Sequence, residues 1–193
     1  MHFIFLTRCF TPDNIQTIKN SIREVFQACG RHTYKHVLMV DMSHTGTKEE
    51  QFDCFVDRNT VVHYVHNKKD QYMYNDIDDY LEALPDQDAY VYVLDDDNIL
   101  KPEFTQVCDT SENVDLIIFK LEGHAGWGDK GCRAGNVDIG NYITKLSILK
   151  KYKFDVQRSS RNADGEFVVK LRSNKCSIVY IKDYLGYYNK LRS

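Results

Sequence analysis

Apolar residues recur along the chain at two spacings, and they change over in a regular order. Phe3-Ile4-Phe5-Leu6 is a continuous apolar run that reads as a short buried strand. Thr11-Pro12 then offers a capping hydroxyl and a proline at the first helical position, and Ile15, Ile18, Ile22, Val25 and Phe26 recur at helical spacing as far as Gly30. Val37-Leu38-Met39-Val40 is a second strand, closed by Asp41 and the polar turn Ser43-His44-Thr45-Gly46-Thr47, and a third follows around Val61 to Val65. Ile77, Tyr80, Leu81 and Leu84 mark a second helix, broken by Pro85-Asp86. Tyr90-Val91-Tyr92-Val93-Leu94 is the strongest strand in the chain and runs straight into Asp95-Asp96-Asp97. This alternation predicts a parallel, doubly wound sheet over residues 1 to about 100.

The second half is less regular. Leu116-Ile117-Ile118-Phe119 reads as a strand, after which Gly123, Gly126, Gly128, Gly131 and Gly135 surround the sole tryptophan, Trp127. A loop of that length is more often functional than idle. Helical spacing returns around Leu146 to Tyr152 and Phe167 to Leu171, and a late strand is expected at Ser177 to Ile181. There is no internal repeat and no low-complexity stretch.

Composition narrows the class. A chain of 193 residues with 42% hydrophobic and 27% charged residues is that of one globular domain. Its net charge of −3, with no block of Lys and Arg, gives no footprint for nucleic acid. The six cysteines are scattered with no C-x-x-C pair, so reduced, mostly buried thiols are expected in place of a zinc site. The apolar amino terminus is too short for a signal peptide and no run is long enough to span a membrane, so a cytosolic protein or an excised domain is expected.

The chemistry gathers at the end of the strongest strand. Open α/β sheets bind ligands at the carboxyl ends of their strands, and three aspartates stand there. If the backbone stays extended, Asp95 and Asp97 share one face and Asp96 points away. Like charges about 4 Å apart repel by roughly 1 kcal/mol in water and about 4 kcal/mol at an effective dielectric of 20, so such a pair favours a cation. Hard oxygen ligands select Mg²⁺ or Mn²⁺. Rival motifs fail on the residues. An EF-hand beginning at Asp95 would need Gly at its sixth position and Glu at its twelfth, where Leu100 and Gln106 stand. Neither a P-loop nor a dinucleotide fingerprint is present.

Tyr90-Val91-Tyr92-Val93-Leu94-Asp95-Asp96-Asp97 resembles the D-x-D strand of glycosyltransferases with the GT-A fold. The opening strand with Thr7 and Arg8, and Val40-Asp41 with its polar turn, resemble the nucleotide-binding half of that fold. Ala163-Asp164-Gly165-Glu166-Phe167 resembles the acidic motif that opens the family's late helix. The resemblance implies a single Rossmann-like domain with a mostly parallel sheet, residues 1–100 binding the nucleotide sugar and residues 101–193 supplying acceptor binding and catalysis. The small size is similar to virus-encoded members of the family, which would place the protein in the host cytoplasm.

By that resemblance the donor is a nucleoside diphosphate sugar, UDP-linked, and the acceptor is a hydroxyl of a glycan or small molecule. Asp97 would bind Mn²⁺ or Mg²⁺ bridging the diphosphate, with Asp95 beside it and also approaching the donor ribose or base. Thr7, Arg8, Asp41, Asn75 and Asp96 would complete the donor pocket. Asp164 would take the proton from the acceptor hydroxyl, with Glu166 as the alternative. From chemistry alone, the Trp127 indole could stack on a sugar ring while flanking glycines let the loop close, and His124 reads as a loop residue and not a metal ligand. A sugar nucleotidyltransferase is the competing enzyme, although Thr7-Arg8-Cys9-Phe10-Thr11 is not the glycine-rich basic loop those enzymes carry. A non-catalytic nucleotide- or carbohydrate-binding module is the competing non-enzyme.

Overall fold

The computed structural model of the chain describes residues 1–9, 15–43, 48–66, 73–109, 113–124, 137–154 and 162–188. Their strands are β1 (His2–Cys9), β2 (Thr33–Asp41), β3 (Thr60–Val65), β4 (Tyr90–Asp95), β5 (Ile99–Leu100), β6 (Leu116–Glu122), β7 (Tyr142–Lys145) and β8 (Ile178–Tyr187). The helices are α1 (Ile15–Cys29), α2 (Tyr74–Ala83), α3 (Gln106–Asp109), α4 (Leu146–Tyr152) and α5 (Ala163–Ser173). The strands form one sheet in the order β3-β2-β1-β4-β7-β6-β8-β5. β1 to β4 run parallel, β7 enters antiparallel to both β4 and β6, β8 runs parallel to β6, and β5 closes the edge antiparallel to β8. The doubly wound first half and the less regular second half are both as the apolar pattern predicts.

Strand alternation divides the core into two layers. Ile4 and Leu6 of β1 and Val91 and Val93 of β4 face α2, α4 and α5, where Ile77, Leu81, Leu146, Leu149, Phe167 and Leu171 are buried with them. Phe3, Phe5, Tyr90, Tyr92 and Leu94 face the other way, against Val25 and Ala28 of α1 and Phe104. All five residues Tyr90 to Leu94 are buried, and each such side chain contributes about 1.5–3 kcal/mol. β4 is therefore a rigid base for the aspartates that end it.

β7, β5 and α5 exceed the sequence expectation for local reasons. β7 is four residues long and passes into α4 with no turn between, so no Gly or Pro marks its end. β5 has only two residues, below the length at which alternation shows. Helix α5 begins at Ala163, one turn before the apolar spacing that starts at Phe167. The start of α1 at Thr11-Pro12 and most of the polar turn after β2 lie outside the described residues. Of the cysteines, Cys9 and Cys29 are buried, Cys176 is half-buried and Cys54 is exposed, all as free thiols. Among the described residues no helix is long and apolar enough to cross a membrane.

Candidate active site

The chain leaves β1 through α1 towards β2 and β3, then returns to β4 on the opposite side of β1. The sheet order therefore reverses between β1 and β4, and a crevice at such a reversal is the standard ligand position in open α/β sheets. Arg8 and Asp95 stand opposite each other there, in register at the carboxyl ends of the two strands. Arg8 donates from Nε to Asp95 Oδ1 at 2.7 Å, and its Nη2 lies 2.6 Å from the same oxygen. Oδ2 of Asp95 makes no hydrogen bond or ion pair among the described residues. Arg8 is only 3% exposed. Burial alone would weaken its charge, but Asp95, Tyr74, Asp164 and Asp138 outweigh burial and raise its pKa.

Behind this pair lies a buried acid. Asp164 sits in the first turn of α5, 7% exposed, and its Oδ1 accepts a hydrogen bond from the Tyr74 hydroxyl. Tyr74 opens α2 directly after Met73, whose left-handed φ of 56° turns the chain abruptly into the helix. Its ring also carries the Arg8 guanidinium 5.4 Å from the centroid, so one residue touches both the ion pair and the acid. Burial first, then the charge of Asp138, pushes the Asp164 carboxyl up to about 7, against the opposing pull of Arg8 and the Tyr74 hydrogen bond. A carboxyl poised near neutrality accepts a proton readily under working conditions.

Asp138 completes the group and was not among the sequence candidates. Its Oδ1 accepts the Gly140 amide at 2.9 Å, and its own amide donates to Asn141 Oδ1 at 3.1 Å, so a short 3-10 turn holds the carboxylate. Burial and then the charge of Asp95 raise its pKa, opposed by the Gly140 amide, Arg8 and His124. Tyr142, which follows that turn at the start of β7, is buried and within electrostatic reach of Asp164, Tyr74, Asp138 and Arg8. The only sequence signal for Asp138 is its capping position two residues before a glycine, immediately after the glycine-rich stretch.

The remaining expected residues divide. β4 ends at Asp95, and Asp95 to Asn98 is a turn closed by the Asn98 amide on Asp95 O at 3.1 Å. The extended backbone assumed for Asp95 and Asp97 is therefore not present. Asp96 is buried and its charge is felt at Cys9, and Asp97 lies buried in the turn. Thr7 faces α1, where its hydroxyl pairs with Ser21 Oγ at 2.9 Å and His36 Nε2 at 2.8 Å, so it is not brought together with Arg8. Asp41 ends β2 at the same edge of the sheet, half-buried, and its Oδ1 accepts the Ser43 amide at 2.8 Å. Asn75 is exposed in the first turn of α2, and Glu166 is exposed on α5 while Asp164 is buried. Helix α5 is preceded by Asn162 at its N-cap, so Asp164 lies inside the helix and does not cap it. Trp127 falls outside the described residues. His124 stacks edge-on with Tyr188, with ring centroids 4.7 Å apart.

No family model matches the chain, and no curated protein does. Solved structures do match. The structure of S. aureus TarS residues 1–349 superposes with a TM-score of 0.70 at 16% identity, over 97% of this chain and 60% of that one. The same protein in complex with UDP-GlcNAc gives a TM-score of 0.69 at 14% identity, over 97% and 58%. A 4-diphosphocytidyl-2C-methyl-D-erythritol synthase from Anaerococcus prevotii gives 0.62 at 9% identity, over 98% and 88%. The chain thus spans about 60% of the length of the TarS fragment. At these identities the likeness is one of fold, and the fold is a single α/β domain of GT-A-like, Rossmann type.

Proposed function

We propose that the chain is a glycosyltransferase that takes a sugar from a nucleoside diphosphate donor, UDP-linked, and passes it to a hydroxyl of a glycan or other acceptor. The observation that carries this reading is the buried, near-neutral carboxyl of Asp164 beside the Arg8–Asp95 pair at the strand reversal. The solved complexes of TarS with UDP and UDP-GlcNAc support it at the level of fold. The A. prevotii synthase shares the fold as well, and a nucleotidyl transfer would need no base at the Asp164 position.

Donor and acceptor then have separate places. Asp41 and Asn75 flank the nucleotide, Asp95 and Asp96 approach its ribose, and Trp127 stacks on the sugar. The fit to a divalent cation rests on donor chemistry: Asp97 lies buried in the turn two residues after Asp95, Arg8 holds Oδ1 of Asp95, and both carboxylates supply the hard oxygens that Mn²⁺ or Mg²⁺ takes. Among the described residues no three His, Cys, Asp or Glu side chains are grouped to hold an ion, so phosphate oxygens would have to complete the shell. A cation held there would stabilise the charge that develops on the departing diphosphate. Asp164 takes the acceptor hydroxyl proton as that oxygen bonds to the anomeric carbon and the bond to the diphosphate breaks, which inverts the anomeric centre.

Thermal melts with a nucleotide panel test the proposal, because a ligand that binds only the native state raises the melting temperature. UDP and UDP-sugars with Mn²⁺, at about a hundred times their dissociation constant, should add about 2.7 kcal/mol and raise the midpoint by roughly 5–10 °C. A response to nucleoside triphosphates alone would favour nucleotidyl transfer instead.

A further inference from the structure

Asp164 is held in place by helix α2 as well as by its own helix. The Ile77 amide donates to Met73 O at 2.9 Å, which starts α2 directly at the left-handed Met73 and puts Tyr74 in its first turn. One turn on, both oxygens of the Asp78 carboxylate accept the Phe154 amide, at 3.1 and 2.9 Å. The Phe154 ring centroid lies 5.1 Å from that of Tyr74 and 4.9 Å from that of Phe167, which is one turn beyond Asp164 on α5. This file of packed rings ties α2 to α5 and leaves the Tyr74 hydroxyl donating to Oδ1 of Asp164. Burial raises the pKa of the Tyr74 phenol against the pull of Arg8, so the phenol stays protonated and donates to the carboxylate. Arg8, Asp138 and Asp95 act on the same carboxyl through their charges, and the buried Tyr142 phenol feels its charge in turn.

We propose that Tyr74 is the positioning residue for the base: its hydroxyl holds Oδ1 of Asp164, so that Oδ2 receives the acceptor proton as the acceptor oxygen bonds to the anomeric carbon and the diphosphate leaves. The inference rests on the glycosyl-transfer reading above, in which Asp164 is that base. It adds the residue that decides which carboxyl oxygen reacts. A carboxylate left to swing loses the aligned geometry on which proton transfer depends, and it loses the hydrogen bond that favours its ionised form. The Tyr74 ring also packs under the Arg8 guanidinium, so the informative change is Tyr74→Phe, which keeps the ring and deletes only the hydroxyl.

Tyr74→Phe, Asp164→Asn and the double variant test it, by UDP release from UDP-GlcNAc with Mn²⁺ and water as acceptor. A carbon-13 NMR titration of the carboxyl groups accompanies the kinetics, with Asp164 identified as the resonance missing from Asp164→Asn. In Tyr74→Phe the Asp164 titration should move up by about one pH unit, a tenfold change, because the ionised form has lost a donor. Turnover at about pH 9, where the carboxyl is ionised in both proteins, should still fall about tenfold, with calorimetric UDP affinity within about twofold of wild type. In the Asp164→Asn background Tyr74→Phe should change turnover by less than about twofold, since it acts through the carboxyl. An unmoved titration, wild-type turnover at pH 9, lost UDP affinity in Tyr74→Phe, or a further drop in the double variant overturns the inference and leaves Asp164 as the base. Wild-type turnover in Asp164→Asn, or no UDP release by the wild type, overturns the base and the inference together.

Discussion

Asp164→Asn is expected to lower glycosyl transfer by about a hundred- to ten-thousandfold while leaving donor affinity nearly unchanged. The amide keeps the shape of the side chain and still accepts from Tyr74, but it has no basic oxygen for the acceptor proton. Steady-state kinetics at saturating donor, set beside calorimetric donor affinity, separates the two quantities. Near wild-type turnover would retire Asp164 as the base and turn attention to a mechanism that retains the anomeric configuration.

The same carboxyl fixes two pH dependences of opposite sense. With Asp164 as the proposed base, transfer requires it ionised, so turnover should rise as pH increases through about 7. Stability should move the other way. The folded pKa lies above that of a free aspartate, so the native state holds a proton that the unfolded chain has lost between about pH 4 and 7. Stability from this group is complete below about pH 4 and is lost as pH rises through 7, by as much as about 4 kcal/mol. Asp164→Asn removes that loss and should be more stable than wild type at pH 8 in urea unfolding.

Arg8→Met should be the most damaging single change for the fold, costing about 3–5 kcal/mol at pH 8. The guanidinium is the shared partner of a buried acid group, and removing it leaves Asp95 facing Asp138 and Asp164 without compensation. The methionine fills comparable volume, so the loss reports charge and not a cavity. It should shrink as pH falls through about 7, where Asp164 takes up its proton. A loss of under 1 kcal/mol would place the pair with ordinary surface salt bridges.

Much of the frame could be read from the chain. The apolar runs that become β1 to β4 are continuous and end in turn residues, and Asp95 stands out because a strand this apolar rarely runs into three carboxylates. The partners of Asp95 could not be read. Arg8 meets it through the β1–β4 register, a tertiary fact that separates the residues by 87 positions. Tyr74 and Tyr142 carry no local mark, being two of 13 tyrosines that core packing would explain equally well. Asp164 was visible only as an acid before an apolar run, which a helix cap also satisfies. The earlier start of α5 decides that ambiguity, because it moves Asp164 inside the helix and against Tyr74.

On the proposed function, a nucleoside diphosphate binds at the β1–β4 reversal through a cation held by Asp97 and Asp95. Calorimetric titration of UDP with Mn²⁺ and again with excess EDTA, on the wild type and on Asp97→Ala, tests it most directly. Binding with Mn²⁺ should be lost in EDTA and weakened about tenfold or more in Asp97→Ala. Equal affinity in Mn²⁺ and EDTA, or metal-dependent binding that persists unchanged in Asp97→Ala, would contradict it.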